Sequence, residues 1–370
     1  MRITAVSLRD FRSYEAADVD LGPALTVLHG PNGAGKTNLL EGIYFGCTGR
    51  SFRTANDREA VRFGAAVSRI ELEAQDADGK HCFSVGFAPG EPKRLRADGV
   101  AVERLTDVEP RPLVCVFAPD RLELVKGAPT LRRAHLDALV AAVWPGRAQT
   151  RHSYARALAQ RNALLGRIRA GAATRDALVA WDSELARHGI ALRDDRAAAV
   201  ALVDAGFAGH ADALGLYGDV ELTYRPRTRA ATATELAAEL AERVQADLDR
   251  GFTGHGPHRD DLAIRLGGRE LRVYGSQGQQ RLGLLALLLA ERDALTAARD
   301  GAPLLLLDDV TSELDTERRA RLVELVAASG QTVIATTDTA HVPGADADGV
   351  HCLSVLGNGV LGRSASGAAA

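Results

Sequence analysis

The stretch Gly30–Pro31–Asn32–Gly33–Ala34–Gly35–Lys36–Thr37 decides the fold. It fits G-x-x-x-x-G-K-[ST]. The apolar run Leu25–Thr26–Val27–Leu28–His29 precedes it, and a helical pattern carrying Leu39, Leu40, Ile43 and Tyr44 follows. Glycines at these spacings let the backbone wrap a phosphate with its N–H groups, and the helix start adds a positive dipole end. Lys36 brings a compact cation to the β- and γ-phosphates, and the Thr37 hydroxyl can ligate Mg²⁺. The expected nucleotide-binding set is therefore Gly30, Pro31, Asn32, Gly33, Ala34, Gly35, Lys36, Thr37 and the adjoining Asn38. Lys36 also stands out against composition, because the chain has four lysines (Lys36, Lys80, Lys93 and Lys126) among 45 basic residues.

A nucleotide site with Mg²⁺ calls for a carboxylate at the end of a neighbouring strand. Leu304–Leu305–Leu306–Leu307–Asp308–Asp309 supplies one, and four successive leucines describe a strand buried on both faces, as in a parallel sheet. Asp308 is expected to hold Mg²⁺, directly or through water, and Asp309 to orient or deprotonate an attacking water. The same pair could instead cap a helix, since Thr311 and Ser312 follow. Gly275–Ser276–Gln277–Gly278–Gln279–Gln280–Arg281 stands before a leucine-dense helix. Ser276, Gly278 and Gln279 put a hydroxyl, a small residue and helix-start N–H groups together, which suits either an anion or a plain helix cap.

Outward from these motifs the chain alternates. Residues from about 60 to 116 read as strands, with turns at Asp76–Lys80 and Pro89–Arg94. The middle reads as helices: Thr130 to Val143, Tyr154 to Ala170, and Ala177 to about Val203, the last two separated by Gly171 and a short polar stretch. They can fold back as an antiparallel hairpin of roughly 40 Å, either a protruding arm or an ordinary helical subdomain. From residue 219 a strand, a helix (Thr234 to Arg250), the leucine-rich helix Arg281 to Ala297, and then strand, helix and strand are expected. The fold class is α/β, with a discontinuous nucleotide lobe over 1–118 and 251–370. A mainly helical insertion covers 119–250, its hairpin at about 154–203. The tail Ser364 to Ala370 is small and polar.

Composition excludes several classes. With 370 residues, 46% hydrophobic, 25% charged and a net charge of −3, the chain is neither disordered nor strongly basic. Apolar runs such as Leu282 to Ala290 are shorter than the roughly 18 residues a membrane span needs. The N-terminus carries Arg2, Arg9 and Asp10, so no secretory signal is expected and a cytoplasmic location is. Cys47, Cys82, Cys115 and Cys352 have no partner at zinc spacing and read as reduced thiols.

Together these pieces resemble the ABC-type ATPase heads of the SMC-like class, in which a phosphate loop, a Ser-Gly signature, an acid-ended strand and an S-x-L-D loop (here Ser312, Leu314, Asp315) occur in this order. More narrowly, Phe11–Arg12–Ser13–Tyr14, Gly49–Arg50–Ser51–Phe52–Arg53, Phe117–Ala118–Pro119–Asp120 and Leu124–Val125–Lys126–Gly127 resemble the RecF family. So do Arg161–Asn162–Ala163–Leu164–Leu165, Trp181–Asp182, Gly256–Pro257–His258–Arg259–Asp260–Asp261–Leu262 and the Ser276–Arg281 run. The resemblance spans the N-terminus to about Asp338. It implies an SMC-like ABC-type head with an inserted helical arm, binding ATP and Mg²⁺. It also implies an ATP-dependent homodimer acting in recombinational gap repair and replication restart. Such a dimer engages gapped DNA and single-strand/double-strand junctions, and works with RecO and RecR to load recombinase. In such heads Ser276 and Gly278 of one copy would complete the site of the other. A weak DNA-dependent ATPase, with Lys36, Asp308 and Asp309 as its catalytic set, would use hydrolysis as the release switch.

Departures from the wider class are visible too. Asp309 stands where ABC heads usually carry Glu, and its shorter reach suits slow hydrolysis. Thr337–Asp338 occupies the place where many such heads have His, and residues 110–125 contain no coupling glutamine. Two other readings follow: a nucleotide-binding scaffold with negligible turnover, or a transporter ATPase subunit. The latter expects that glutamine and a Gly-Gly signature. Candidate DNA contacts are Arg50, Arg53, Arg58 and Arg62, Arg132 and Arg133, and Arg225, Arg227 and Arg229, with Arg53 able alternatively to approach the nucleotide. His255, His258 and Arg259 form either a polar site or a satisfied turn.

Overall fold

Alternating apolar residues at the start of the chain, Ile3, Val6 and Leu8, bury one face of a long strand, Arg2–Phe11. In the computed structural model, which describes residues 1–299, 301–328, 330–357 and 360–363, the chain forms two compact units. One comprises Met1–Arg121, Ala213–Gly215 and Leu295–Ala370, the other Leu122–Asp212 and Leu216–Ala294. The tail read as polar, 364–370, lies outside the described residues.

The first unit holds two sheets. An antiparallel sheet has the order Tyr14–Asp20, Arg2–Phe11, Ser68–Gln75, Lys80–Phe87, Arg94–Ala97, Val100–Val102. The other has the order Val360–Arg363, His351–Leu356, Leu25–His29, Thr332–Thr336, Leu304–Asp308, Val114–Phe117, parallel apart from its first strand. Helix Lys36–Thr48 packs against strands of both sheets, and one apolar cluster runs through the unit. Its Gly46 lets the helix lie on the antiparallel sheet, since a Cβ there would meet Leu72 Cγ at 2.5 Å. Register does the rest. Asp308 pairs with Ala335, and Ala335 with Leu28, so the acid pair and the glycine loop leave the sheet at the same carboxyl edge.

The second unit joins a small antiparallel sheet (Arg269–Glu270, Asp261–Leu266, Val220–Arg225) to helices. The segment 251–294, assigned by sequence to the nucleotide lobe, clusters here instead. The reason is pairing: Asp261–Leu266 runs in register with Val220–Arg225 over six positions. The hairpin helices are Ala148–Arg169 and Leu178–Ala213, the second 36 residues long and so about 54 Å. The expected helix at 234–250 is two, Ala233–Glu242 and Val244–Arg250. These cover the flank of the hairpin. Leu236 and Leu240 pack with Tyr154, Leu185 and Leu192, and Leu248 packs with Leu164, Leu165 and Leu178. The insertion is thus a packed helical subdomain along this stretch.

Two of the motif runs are polar clasps inside this unit. Arg161 is fully buried; its Nε donates to Asp182 at 2.6 Å, and its Nη1 to Asp247 at 2.7 Å and to Thr253 Oγ1 at 2.8 Å. Asn162 accepts from both the N–H and the hydroxyl of Thr253. In the Gly256–Leu262 run, Arg132 pairs with Asp261, Arg196 donates to the Pro257 carbonyl, and Tyr224 donates to Asp260. His258 lies between the Tyr154 hydroxyl, 2.7 Å from Nδ1, and the Thr253 carbonyl, 2.9 Å from Nε2. Of the two readings of His258, this is the satisfied turn.

Burial pushes the His258 imidazole down to about 4, with Arg259 and Arg133 adding to the fall. It folds neutral, whereas the unfolded chain protonates it near 6.5. The unfolded state therefore binds the extra proton between those values, and stability drops as pH falls through that window. The expected loss reaches about 3 kcal/mol at its foot, because each tenfold change in proton affinity is worth roughly 1.4 kcal/mol. Thermal unfolding from pH 7 to pH 4 should show a shallower slope in His258→Gln than in the parent; equal slopes would remove His258 as the cause.

Candidate nucleotide-binding site

Loop 30–35 needs its glycines. A side chain at Gly30 would collide with the Val355 carbonyl, and Gly33 and Gly35 hold φ of +79° and +112°. Gly35 also lies against Ser13 and Tyr14: the Tyr14 hydroxyl donates to its carbonyl at 3.0 Å, so the Phe11–Tyr14 run braces the loop. Lys36 Nζ donates to the carbonyls of Gly30 (2.7 Å) and Pro31 (2.9 Å) and so sits over the loop it follows. Burial lowers the affinity of this ammonium for its proton, and Asp309 and Asp308 act in the opposite sense.

Asp308 ends its strand and is buried. The Thr37 hydroxyl lies 3.0 Å and 2.9 Å from its two carboxylate oxygens. Desolvation pushes the Asp308 carboxyl up from its usual range; the Thr37 hydrogen bond opposes this, Asp309 adds to it, and Arg53 and Lys36 pull it back. A hydroxyl and a carboxylate in contact are hard oxygen donors, the kind of pair that holds Mg²⁺ together with phosphate oxygens and water. Asp309 follows with φ +49°, a left-handed conformation uncommon for any residue but glycine. Its N–H donates to Ala335, its carbonyl accepts from Ser312, and its buried Oδ1 has no hydrogen-bond partner among the described residues. Neither acid caps the following helix. That cap is Asp315, which accepts from the Arg318 N–H at 2.9 Å.

Sequence reasoning missed a second layer. Glu41 lies inside the phosphate-loop helix and is fully buried. Arg12 donates to both its oxygens, at 3.0 and 2.6 Å, Ser51 to one at 2.6 Å, and Arg53 to the other at 3.2 Å. Arg53 also donates to Asn38 Oδ1, and Asn38 donates to the Ser13 hydroxyl. One buried acid thus ties two arginine-bearing loops to the helix behind the phosphate loop. The available signal was an acid within the apolar run Leu39–Ile43, where no solvated face is expected. Arg53 thus lies against the helix that follows the phosphate loop.

Ser276, Gly278 and Gln279 belong to the second unit. The Ser276 hydroxyl accepts from the Gln279 N–H while Gln279 Oε1 accepts from the Ser276 N–H, a reciprocal cap on helix Gln277–Ala298. Ser276 and Gly278 stay exposed beyond it. Several candidate DNA contacts are committed elsewhere. Arg132 is buried on Asp261, Arg62 pairs with Asp10, Arg133 donates to the Asp260 carbonyl, and Arg225 pairs with Glu270. Arg50, Arg58, Arg227 and Arg229 remain exposed. Among the described residues no helix is long and apolar enough to cross a membrane. None of the four cysteines forms a disulfide among the described residues, and Cys47 and Cys115 are buried.

A family model described as an AAA domain matches residues 5–102. The DNA replication and repair protein RecF of Myxococcus xanthus is 39% identical, covering 98% of each chain, and that of Streptomyces avermitilis is 38% identical over 93% of this chain and 95% of its own. Among solved structures, the recombination mediator protein RecF-ATP of the RecFOR pathway aligns with a TM-score of 0.88 at 26% identity, covering 98% of each chain. An SMC head bound to the C-terminal winged-helix domain of ScpA aligns at 0.59 and 15% identity, a likeness of fold. The fold is that of an SMC-like ABC-type ATPase head, and with near full-length identity of this order the chain belongs to the RecF family of DNA replication and repair proteins.

Proposed function

We propose that this chain is an ATP-dependent DNA-binding protein of recombinational gap repair and replication restart. ATP holds two copies together on gapped DNA at single-strand/double-strand junctions, and slow hydrolysis releases them. The observation that carries the reading is the contact of the Thr37 hydroxyl with both oxygens of Asp308, across a loop whose glycines and lysine suit a triphosphate. Family membership and the likeness to RecF-ATP of the RecFOR pathway support it, and the same likeness supports the proposal that RecO and RecR are its partners.

The loop N–H groups bind the phosphates, and Lys36 exchanges its two loop carbonyls for phosphate oxygens. Thr37 and Asp308 would hold Mg²⁺, which when bound neutralises charge on the phosphate oxygens. Asp309, one residue beyond the Asp308 carboxylate at the same strand end, orients the attacking water and accepts its proton. Arg12, Glu41 and Arg53 fix the loop from behind. Ser276 and Gly278, exposed on a capped helix start, complete the site of the second copy.

DNA binding with and without ATP, over a salt series, tests the reading. Affinity for gapped DNA should rise at least tenfold with ATP and fall steeply with salt, as expected when phosphate contacts release counterions. Affinity that ignores ATP would contradict an ATP-gated clamp.

A further inference from the structure

The loop after helix Val244–Arg250 presents an aromatic ring rather than burying it. Gly251 caps the helix at φ +82°, and Thr253 is buried and bonded to both Arg161 and Asn162. Held between two anchored residues, Phe252 faces outward and is 41% exposed. Arg227, Arg250, Gly254 and Arg259 line with it an open recess of about 390 Å³. Arg259 lies 5.3 Å over the ring, and Arg169 packs against Gly251 at its edge. Arg169, Arg227, Arg250 and Arg259 are all exposed, and none has an ion pair among the described residues. The nearby acids are already used. Asp247 serves Arg161 and the Gly254 N–H, and Asp260 serves Tyr224 and the Arg227 N–H.

The geometry points to a single-stranded nucleic-acid site in this recess. The four guanidinium groups hold successive phosphates, and one base stacks on Phe252. A duplex keeps its bases stacked on one another and cannot offer one to the ring, whereas a single strand can. Four cations with no ion pair among the described residues, around one ring, match a charged chain carrying flat aromatic groups better than they match an acidic peptide. The inference rests on the proposed function for its class of ligand and adds the place.

Fluorescence anisotropy with a labelled oligothymidine and with a blunt duplex tests it on the full chain. Arg250→Glu with Arg259→Glu should weaken the oligothymidine at least tenfold and reduce the salt slope by about two contacts. Phe252→Ala should weaken it about fivefold or more, the lower end of a lost base stack, and leave the duplex unchanged. Binding of a fluorescent ATP analogue should match the parent in both variants, and Arg259→Gln, a milder change, should fall between. Parent-like oligothymidine binding by the variants would overturn the site while leaving the proposed function standing. Equal loss on duplex and single strand in Phe252→Ala would overturn the stacking role. Loss of polyglutamate binding with oligothymidine binding intact would assign the recess to an acidic peptide instead. A parent protein that binds no DNA of any form would overturn both the site and the function it rests on.

Discussion

Asp309→Asn should bind ATP within about threefold of the parent and lose turnover by about 100-fold or more, the range expected when a positioned proton acceptor is removed. The substitution keeps size and the left-handed backbone, since Asn tolerates φ near +49° as readily as Asp. It removes the carboxylate's basicity together with its negative charge, which acts on Lys36 and Asp308. Single-turnover hydrolysis beside equilibrium nucleotide binding separates the two effects. Turnover equal to the parent's would remove Asp309 from the chemistry and favour the scaffold reading, in which the site binds ATP and barely cuts it. Loss of binding instead would mean that Asp309 shapes the loop.

Arg161→Met should lower stability by about 3–5 kcal/mol, because it strands Asp182 and Asp247 as buried carboxylates without their cation. Burial already pushes the Asp182 carboxyl up, and Arg161 is what draws it down. For a unit of this size the midpoint of thermal unfolding should fall by roughly 10 °C. Adding Asp182→Asn should recover part of the loss, since a neutral amide has no charge to strand. A fall below about 1 kcal/mol, the scale of an exposed pair, would show that water reaches the clasp. The nucleotide site lies in the other compact unit, so ATP binding at low temperature should be retained.

How much of this was legible in the sequence differs by element, for physical reasons. The phosphate loop and the acid-ended strand were, because each is a local pattern whose residues act within a few positions of one another. Their juxtaposition also followed, since parallel strands bring their carboxyl ends to one edge. Glu41 was not, because its arginine partners stand 29 and 12 residues away and nothing local joins them. Arg132 read as a candidate DNA contact, and its burial depends on Asp261, 129 residues on. The boundary near residue 251 failed similarly. A helix end and a glycine loop mark a break in the chain, but the pairing of Asp261–Leu266 with Val220–Arg225 carries the fold across it. His258, left open between site and turn, was decided by the Tyr154 hydroxyl, contributed from 104 residues before it.

Sedimentation velocity of the full chain, with ATP and Mg²⁺, with ADP and Mg²⁺, and with neither, tests the central claim most directly. Two-copy particles should appear with ATP, grow with protein concentration, persist longest in Asp309→Asn and be absent in Lys36→Arg. Single copies throughout, at ATP concentrations shown to fill the site, would contradict it.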